Sequence, residues 1–256
     1  MADLDALLDD AARRPMRGWD LRLDGRIVST HPWDFEGIVD AEIAGAASLL
    51  DMGTGGGEWL SARPFPKGRT VATEGWPPNV PVAAARLTPL GITVLAVEGA
   101  PDNAEQATSA VLPALPFADG AFRFITNRHE SFVAAEVARI LAPGGQFITQ
   151  QIASEFSAPM RALMSAPDPA PPSRWDLALA LDQVRASGLE VIQAREGDAQ
   201  VTFADVGALA WYLLHVPWVL PEFEIAAFRD RLAALRETAP ITVPQPHFWL
   251  QARRAA

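Results

Sequence analysis

Four glycines crowd into five positions, Gly53, Gly55, Gly56 and Gly57, in the run Asp51-Met52-Gly53-Thr54-Gly55-Gly56-Gly57. Such a run lets the backbone turn tightly and lets a ligand approach without a Cβ in the way, at an entropic cost that packing alone does not offset. Charge decides which ligand fits. A dinucleotide loop reads G-x-G-x-x-G and sets a pyrophosphate on the N-terminus of the following helix. Here Glu58 holds the place of the third glycine, and a carboxylate at a helix start competes with phosphate for the same positive end. A cationic nucleoside without phosphate suits this acidic, lysine-free turn, with Asp51 set to receive an ammonium and Gly53, Thr54, Gly55 and Gly57 lining the approach. A dinucleotide, or a turn that holds nothing, stands as the alternative.

Further along the chain, Glu74-Gly75-Trp76 sits where a second strand should end. An acid there can accept both hydroxyls of a ribose in charge-assisted hydrogen bonds, and Trp76 can stack on a base or pack beneath the loop. A third polar group is Asn127-Arg128-His129-Glu130. His129 is placed to act as a general base for a hydroxyl or ammonium acceptor, or else to cap the next helix with Ser131. Arg128 can pair with a substrate carboxylate or phosphate, or bridge to Glu130, and Asn127 is expected on the ligand side. Of Gln150 and Gln151, strand alternation allows only one to face a cleft. Trp211 and His215, spaced i, i+4, can line a pocket or join the core.

These groups need a scaffold that delivers them to one edge, and the apolar pattern supplies it. Short apolar runs at 46–52, 69–74, 92–97, 122–127 and 146–152 alternate with helical spacing, the signature of a parallel sheet covered by helices. Gly91 is expected to stop the helix before 92–97, and Pro143-Gly144-Gly145 the helix carrying Val133, Val137, Ile140 and Leu141. Five prolines in 158–173 argue for a flap without regular helix. Beyond it come a helix over Leu177, Leu181 and Val184, and a strand at 189–194. Then follow a helix capped by Asp205, an amphipathic helix over Ile225, Phe228, Leu232 and Leu235, and a last strand at 247–253. The expected architecture is a Rossmann-like, doubly wound α/β fold, mostly parallel with an antiparallel last strand, plus helical and proline-rich lid elements. Its 256 residues suit one domain: an N-terminal segment and helix (1–45), a cofactor-binding core (46–152), flap, sixth strand and helical lid (153–246), and the last strand (247–256).

Composition narrows the partners. The net charge of −10 disfavours nucleic acid, whose binding draws much of its affinity from Lys and Arg on phosphates. No cysteine is present, so disulfides and thiolate metal sites are excluded, and no metal is expected. No apolar run reaches the length of a membrane span, and 1–10 lacks the basic start and apolar block of a signal peptide, so a cytoplasmic protein is expected.

Three segments in order resemble a known family. Leu49-Leu50-Asp51-Met52-Gly53-Thr54-Gly55-Gly56-Gly57-Glu58 looks like the first motif of class I S-adenosylmethionine-dependent methyltransferases. Leu115-Pro116-Phe117-Ala118-Asp119-Gly120-Ala121-Phe122 resembles the L-P-F-x-D-x-x-F segment of the branch with ubiquinone and menaquinone C-methyltransferases, and Glu136 to Gly145 its E-x-x-R-x-L-x-P-G-G motif. The resemblance implies S-adenosylmethionine as cofactor and methyl transfer to a small molecule at oxygen, nitrogen or carbon. An rRNA base methyltransferase and a non-catalytic binding protein on the same fold are the alternatives. The chain departs from the branch at Val111, Leu112 and Pro113, where an acid usually holds the adenine amino group, leaving backbone or a shifted residue such as Asp102. It departs again at Arg123, where the branch has Asp.

Overall fold

The structure is a computed structural model that describes residues 3–16, 18–106, 112–167 and 174–256. By contact the chain divides into two compact units. One comprises 33–153, 173–196 and 248–256, the other 1–32, 154–172 and 197–247.

The first-named unit holds the expected βα alternation. Its strands are β2 (Leu49–Met52), β3 (Thr70–Glu74), β4 (Thr93–Ala96), β5 (Phe122–Arg128) and β6 (Leu141–Ile152), with the first part of β7 (Glu190–Phe203) and the last part of β8 (Ile241–Arg253). They line up as β7-β8-β6-β5-β2-β3-β4, and the pairs from β6 through to β4 are parallel. The Arg254 N–H donates to the Gly145 carbonyl, and Gln251 donates to Gln146, so β8 ends beside the start of β6 and runs antiparallel to it.

Neighbouring residues on each strand bury into opposite layers, as a period of two requires. Leu50, Ile125, Phe147 and Phe248 pack on one face with Phe132, Val137 and Val184. Leu49, Phe124, Ile148 and Trp249 pack on the other with Val39, Leu60 and Leu87. Burial on both faces is why adjacent residues are apolar in mid-strand, as in Leu49-Leu50, Phe124-Ile125 and Phe147-Ile148. The covering helices are α2 (Phe35–Ile43), α3 (Glu58–Ser61), α4 (Val80–Leu87), α5 (Ala134–Ile140) and α7 (Leu177–Ala186). Asp34 and Asp176 cap α2 and α7 by accepting the N–H of Gly37 and Leu179. Gly91 takes φ +81° and closes a single 3₁₀ turn after α4, as its position implied.

The second unit is built from α1 (Leu4–Arg13), β1 (Ile27–Thr30), α6 (Ser157–Met164), α8 (Val206–His215), α9 (Arg229–Arg236) and the remaining parts of β7 and β8. Strand β1 pairs antiparallel with β7, Ile27 opposite Phe203. Its core gathers Leu8, Ile27, Met160, Phe203, Leu209, Trp211 and Leu232. Asp205 caps α8 through the Ala208 N–H and is clasped by Arg26 at 2.6 Å.

Several boundaries differ from the sequence reading. Helix α6 occupies half of the expected helix-free flap, because Pro159 falls in its first turn, where a missing N–H leaves no bond unmade. Of the remaining prolines, Pro169, Pro171 and Pro172 lie outside the described residues. Strand β8 begins at Ile241 rather than 247, and it accommodates Pro244 and Pro246, two residues apart and so on one side of the strand. Strand β7 runs on to Phe203, through the polar Arg195-Glu196-Gly197-Asp198, because β1 supplies a partner. Strand β6 starts at Leu141, with Pro143-Gly144-Gly145 lying in an irregularity of the β5–β6 ladder rather than in a loop.

Candidate functional site

Strands β2, β3 and β4 are laid down in one direction across the sheet and β5 and β6 in the other, so β2 and β5 mark the point where the strand order reverses. Ligands of open α/β sheets bind at such a point, beyond the carboxyl ends of the strands. A cleft of about 420 Å³, counted to its open mouth, lies there. Its walls come from the ends of β2 (Met52, Gly53) and β3 (Thr73, Gly75), the loop Val97-Glu98-Gly99-Ala100 after β4, Pro113 and Leu115, and Glu130, Ser131, Val133 and Glu136 after β5.

The glycine turn makes the floor. Gly53 has φ +68°, and a Cβ there would lie 2.5 Å from the Cβ of Glu130. Gly57 has φ +77°, and a Cβ would press to 2.7 Å on Leu87 Cγ, so neither position admits a side chain without movement. Glu74, buried at the end of β3, braces the turn: one oxygen accepts the Gly55 N–H at 2.6 Å and the other the Trp76 N–H at 2.8 Å. Each oxygen keeps a lone pair for a further donor. Burial holds the Glu74 carboxyl above its usual range against those bonds.

Asp51 is buried on β2 and accepts the Thr126 hydroxyl at 2.7 Å. Burial pushes its carboxyl up to about 6, against the pull of Thr126, Thr54 and the Arg128 charge. Thr54 is buried in the same turn. The bare Glu58 carboxylate expected from the sequence is instead an ion pair with Arg86 at 2.5 Å. Its side chain also fills the space over Gly56, where a Cβ would meet Glu58 Oε1 at 2.3 Å. The start of α3 is therefore closed to a pyrophosphate by the bulk of the Glu58 side chain rather than by a bare charge.

Glu130, grouped by the sequence with Asn127, Arg128 and His129 but given no part beyond a bridge to Arg128, is a wall of the cleft. His129 takes φ +58°, a conformation His tolerates better than most residues, and the chain leaves the strand there. Glu130 follows and lies across Gly53 and against Gly99, its Oε1 2.9 Å from where a Gly99 Cβ would be. Burial, with the Glu74 charge adding, pushes its carboxyl up to about 7. Among the described residues no donor or cation engages it. Its Gly-contacting geometry leaves no sequence signature, because it depends on one left-handed residue.

The remaining predicted residues are distributed as follows. Gly75 lines the cleft, and Trp76 beside it is 59% exposed rather than packed under the loop. Asn127 turns into the sheet, where its Oδ1 accepts Thr149 and Gln151 at 2.7 Å, and it does not line the cleft. Arg128 makes no bridge to Glu130; its guanidinium lies 5.1 Å over the Trp59 ring, and burial lowers its pKa. His129 is exposed, its ring 3.5 Å from Gln150 Nε2, while Gln150 also accepts the Trp33 indole N–H at 2.9 Å. Gln151 faces the other way and ties Asn127 to the Glu130 carbonyl. Asp102 caps the turn at Ala104, whereas Glu98, closer to β4, lines the cleft. Trp211 is core in its own unit, donating to the Arg14 carbonyl at 2.8 Å, with His215 stacked on it at 4.5 Å.

The Glu136-x-x-Arg139 pair has a mechanical role. Arg139 donates to the carbonyls of Leu115 and Phe117 and pairs with Glu136 and Asp119 at 2.8 Å, while Glu136 accepts the Leu115 N–H. One arginine thus pins the Leu-Pro-Phe segment that forms a cleft wall.

No family model and no curated protein matches the chain. Solved structures do. A candidate methyltransferase from Bacillus halodurans C-125 superposes with a TM-score of 0.54 at 18% identity, over 86% of this chain and 98% of that one. The YcgJ protein of Bacillus subtilis gives 0.55 at 18% identity, over 86% and 97%. The fold is that of the class I methyltransferases. A [4+2]-cyclase, SpnF, shares this methyltransferase fold with a TM-score of 0.51 at 17% identity, over 99% of this chain and 93% of its own. Within the methyltransferase fold, β8 is the antiparallel strand inserted between β6 and β7, as expected for the last strand. No helix among the described residues is long and apolar enough to cross a membrane.

Proposed function

We propose that this chain is an S-adenosylmethionine-dependent methyltransferase acting on a small molecule. The observation that carries the reading is electrostatic. Asp51, Glu74 and Glu130 converge on the glycine turn, and burial raises the pKa of each, with Glu74 raising Asp51 and Glu130 further. Such a set is relieved by a cationic ligand and aggravated by a phosphate. The fold alone does not choose the chemistry, since a protein named for [4+2] cyclisation shares it.

When bound, the cofactor supplies a methyl group on a sulfonium that is already a good leaving group. The chain's own tasks are then to bind, align and exclude water. Glu74 and Gly75 suit the ribose end, exposed Trp76 offers a face for the base, and Glu98 takes the place of the missing adenine acid. Asp51, Gly53, Thr54, Gly55 and Gly57 suit the amino-acid end, with Asn127 supporting the turn from within the sheet. His129, open to solvent at the end of β5, is the group to accept a proton from a hydroxyl or ammonium acceptor. We take 1–256 as one functional domain. The net charge of −10 argues against nucleic acid as acceptor, and a cysteine-free chain gains nothing from an oxidising compartment, which suits the cytoplasm.

Thermal-shift and calorimetric titrations with S-adenosylmethionine, S-adenosylhomocysteine and NAD test this. The two sulfur nucleosides are expected to raise the melting temperature and NAD to leave it unchanged. Stabilisation by NAD alone would overturn the proposal.

A further inference from the structure

Three half-buried arginines, Arg63, Arg128 and Arg236, keep a buried Nε without an acceptor, and Arg128 is the one of them that stands at the carboxyl end of a sheet strand, next to the glycine turn. Arg63, with its side chain 11% exposed, pairs with Glu36 and Asp40 at 2.9 and 3.0 Å. Arg161, 6% exposed, pairs with Glu222 at 2.5 Å. Arg128 has no carboxylate of the described residues within ion-pair distance, and its Nε is buried with no acceptor. Its guanidinium lies 5.1 Å over the face of Trp59, an indole it shares with the already neutralised Arg63 at 5.6 Å. A guanidinium taken out of water without a partner is costly, and structural arginines avoid that state.

The charge nearest in effect is Asp51, which acts on Arg128 without touching it. The Asp51 carboxylate accepts the Thr126 hydroxyl and has Thr54 beside it, at the turn that opens at Gly53. A half-buried cation and a buried anion therefore stand at the ends of adjacent strands β5 and β2, within electrostatic reach and unbridged. A group carrying both an ammonium and a carboxylate matches that pair, the one charge to Asp51 and the other to Arg128. An arginine fork also suits a carboxylate better than a point charge does.

We propose that Arg128 is the receptor for the α-carboxylate of the cofactor's amino-acid end, and with Asp51 reads it as a zwitterion. This rests on the methyl-donor reading above and adds to it a specificity determinant. A carboxylate on the methyl acceptor is the other possible source of the same chemistry, and the ligands chosen separate the two, because no acceptor is present in the binding measurement.

The experiment is calorimetric binding of S-adenosylmethionine and of its decarboxylated analogue to the wild type, Arg128→Gln and Arg128→Lys. The wild type is expected to prefer S-adenosylmethionine by about ten- to a hundredfold, the worth of a charge-assisted pair. Arg128→Gln should bind the two alike, by losing affinity only for the carboxylate-bearing one, and Arg128→Lys should restore part of the preference. Removing an unpaired charge should leave the glutamine variant folded, with a melting temperature at or above the wild type's. The wild-type comparison needs no variant at all. Equal affinities in the wild type, or a preference that survives in Arg128→Gln, would overturn the proposal while leaving the methyl donor in place. Failure of the wild type to bind either nucleoside would instead sink the donor reading and this one with it.

Discussion

Replacing Glu130 by Gln is expected to stabilise the ligand-free protein by an amount that grows as pH rises from 4.5 and levels off near 7. The Glu130 carboxyl is carried from 4.5 to about 7 by burial and by Glu74. Below its ordinary pKa it is protonated in the folded and unfolded chain alike and costs nothing. Through the window from 4.5 to about 7 the folded protein keeps a proton that the unfolded chain releases, so stability falls as pH rises. Fully developed, that displacement corresponds to about 3 kcal/mol, and partial contact of the side chain with water brings the expected cost to about 2 kcal/mol at pH 8. For a chain of this length, that is roughly 4–8 °C in melting temperature. Thermal melts of wild type and Glu130→Gln at pH 5 and pH 8 read it directly: curves nearly together at pH 5, the variant higher by several degrees at pH 8. A gain of equal size at both pH values would show that the carboxylate carries no burial penalty, and the electrostatic argument for a cationic ligand would lose its base. The same cleft should then respond to the ligand in reverse, since S-adenosylmethionine relieves the wild type's penalty at pH 8 and has less to relieve in the variant.

Three further outcomes follow from the site. Gly53→Ala places a Cβ at φ +68° and 2.5 Å from the Cβ of Glu130, so it should cost about 2 kcal/mol in urea unfolding and weaken nucleoside binding. Adding Glu130→Gly should recover part of that loss, whereas simple additivity of the two changes would refute the contact. Arg139→Met removes the donors that hold Leu115 and Phe117, with an expected loss of about 2 kcal/mol and looser nucleoside binding; unchanged binding would separate this clasp from the cleft. His129→Asn keeps a residue suited to φ +58° while removing the base. Turnover on a hydroxyl or ammonium acceptor should fall and its pH profile lose the lower limb, and an unaltered profile would eliminate the base role.

The sequence by itself determined the sheet and the turn. A strand buried on both faces needs successive apolar residues in its middle, so β2, β3, β5 and β6 were legible from short runs such as Leu49-Leu50 and Phe147-Ile148, and a turn that brings backbone to a ligand favours glycine, so Gly53 to Gly57 marked the floor of the cleft. Both are local consequences of chain chemistry. What the sequence could not fix were matters of partner and direction. Strand β1 and the far part of β7 exist because they pair with each other, and α6 survives Pro159 because the proline falls in the first turn. Likewise, only tertiary structure set Glu130 across Gly53, turned Asn127 inward to Thr149 and Gln151, answered Glu58 with Arg86, and left Arg128 on Trp59 without a counter-ion. A side chain's charge is written in its residue type, but whether that charge is paired, screened or stranded depends on which distant residues the fold brings within a few ångströms of it.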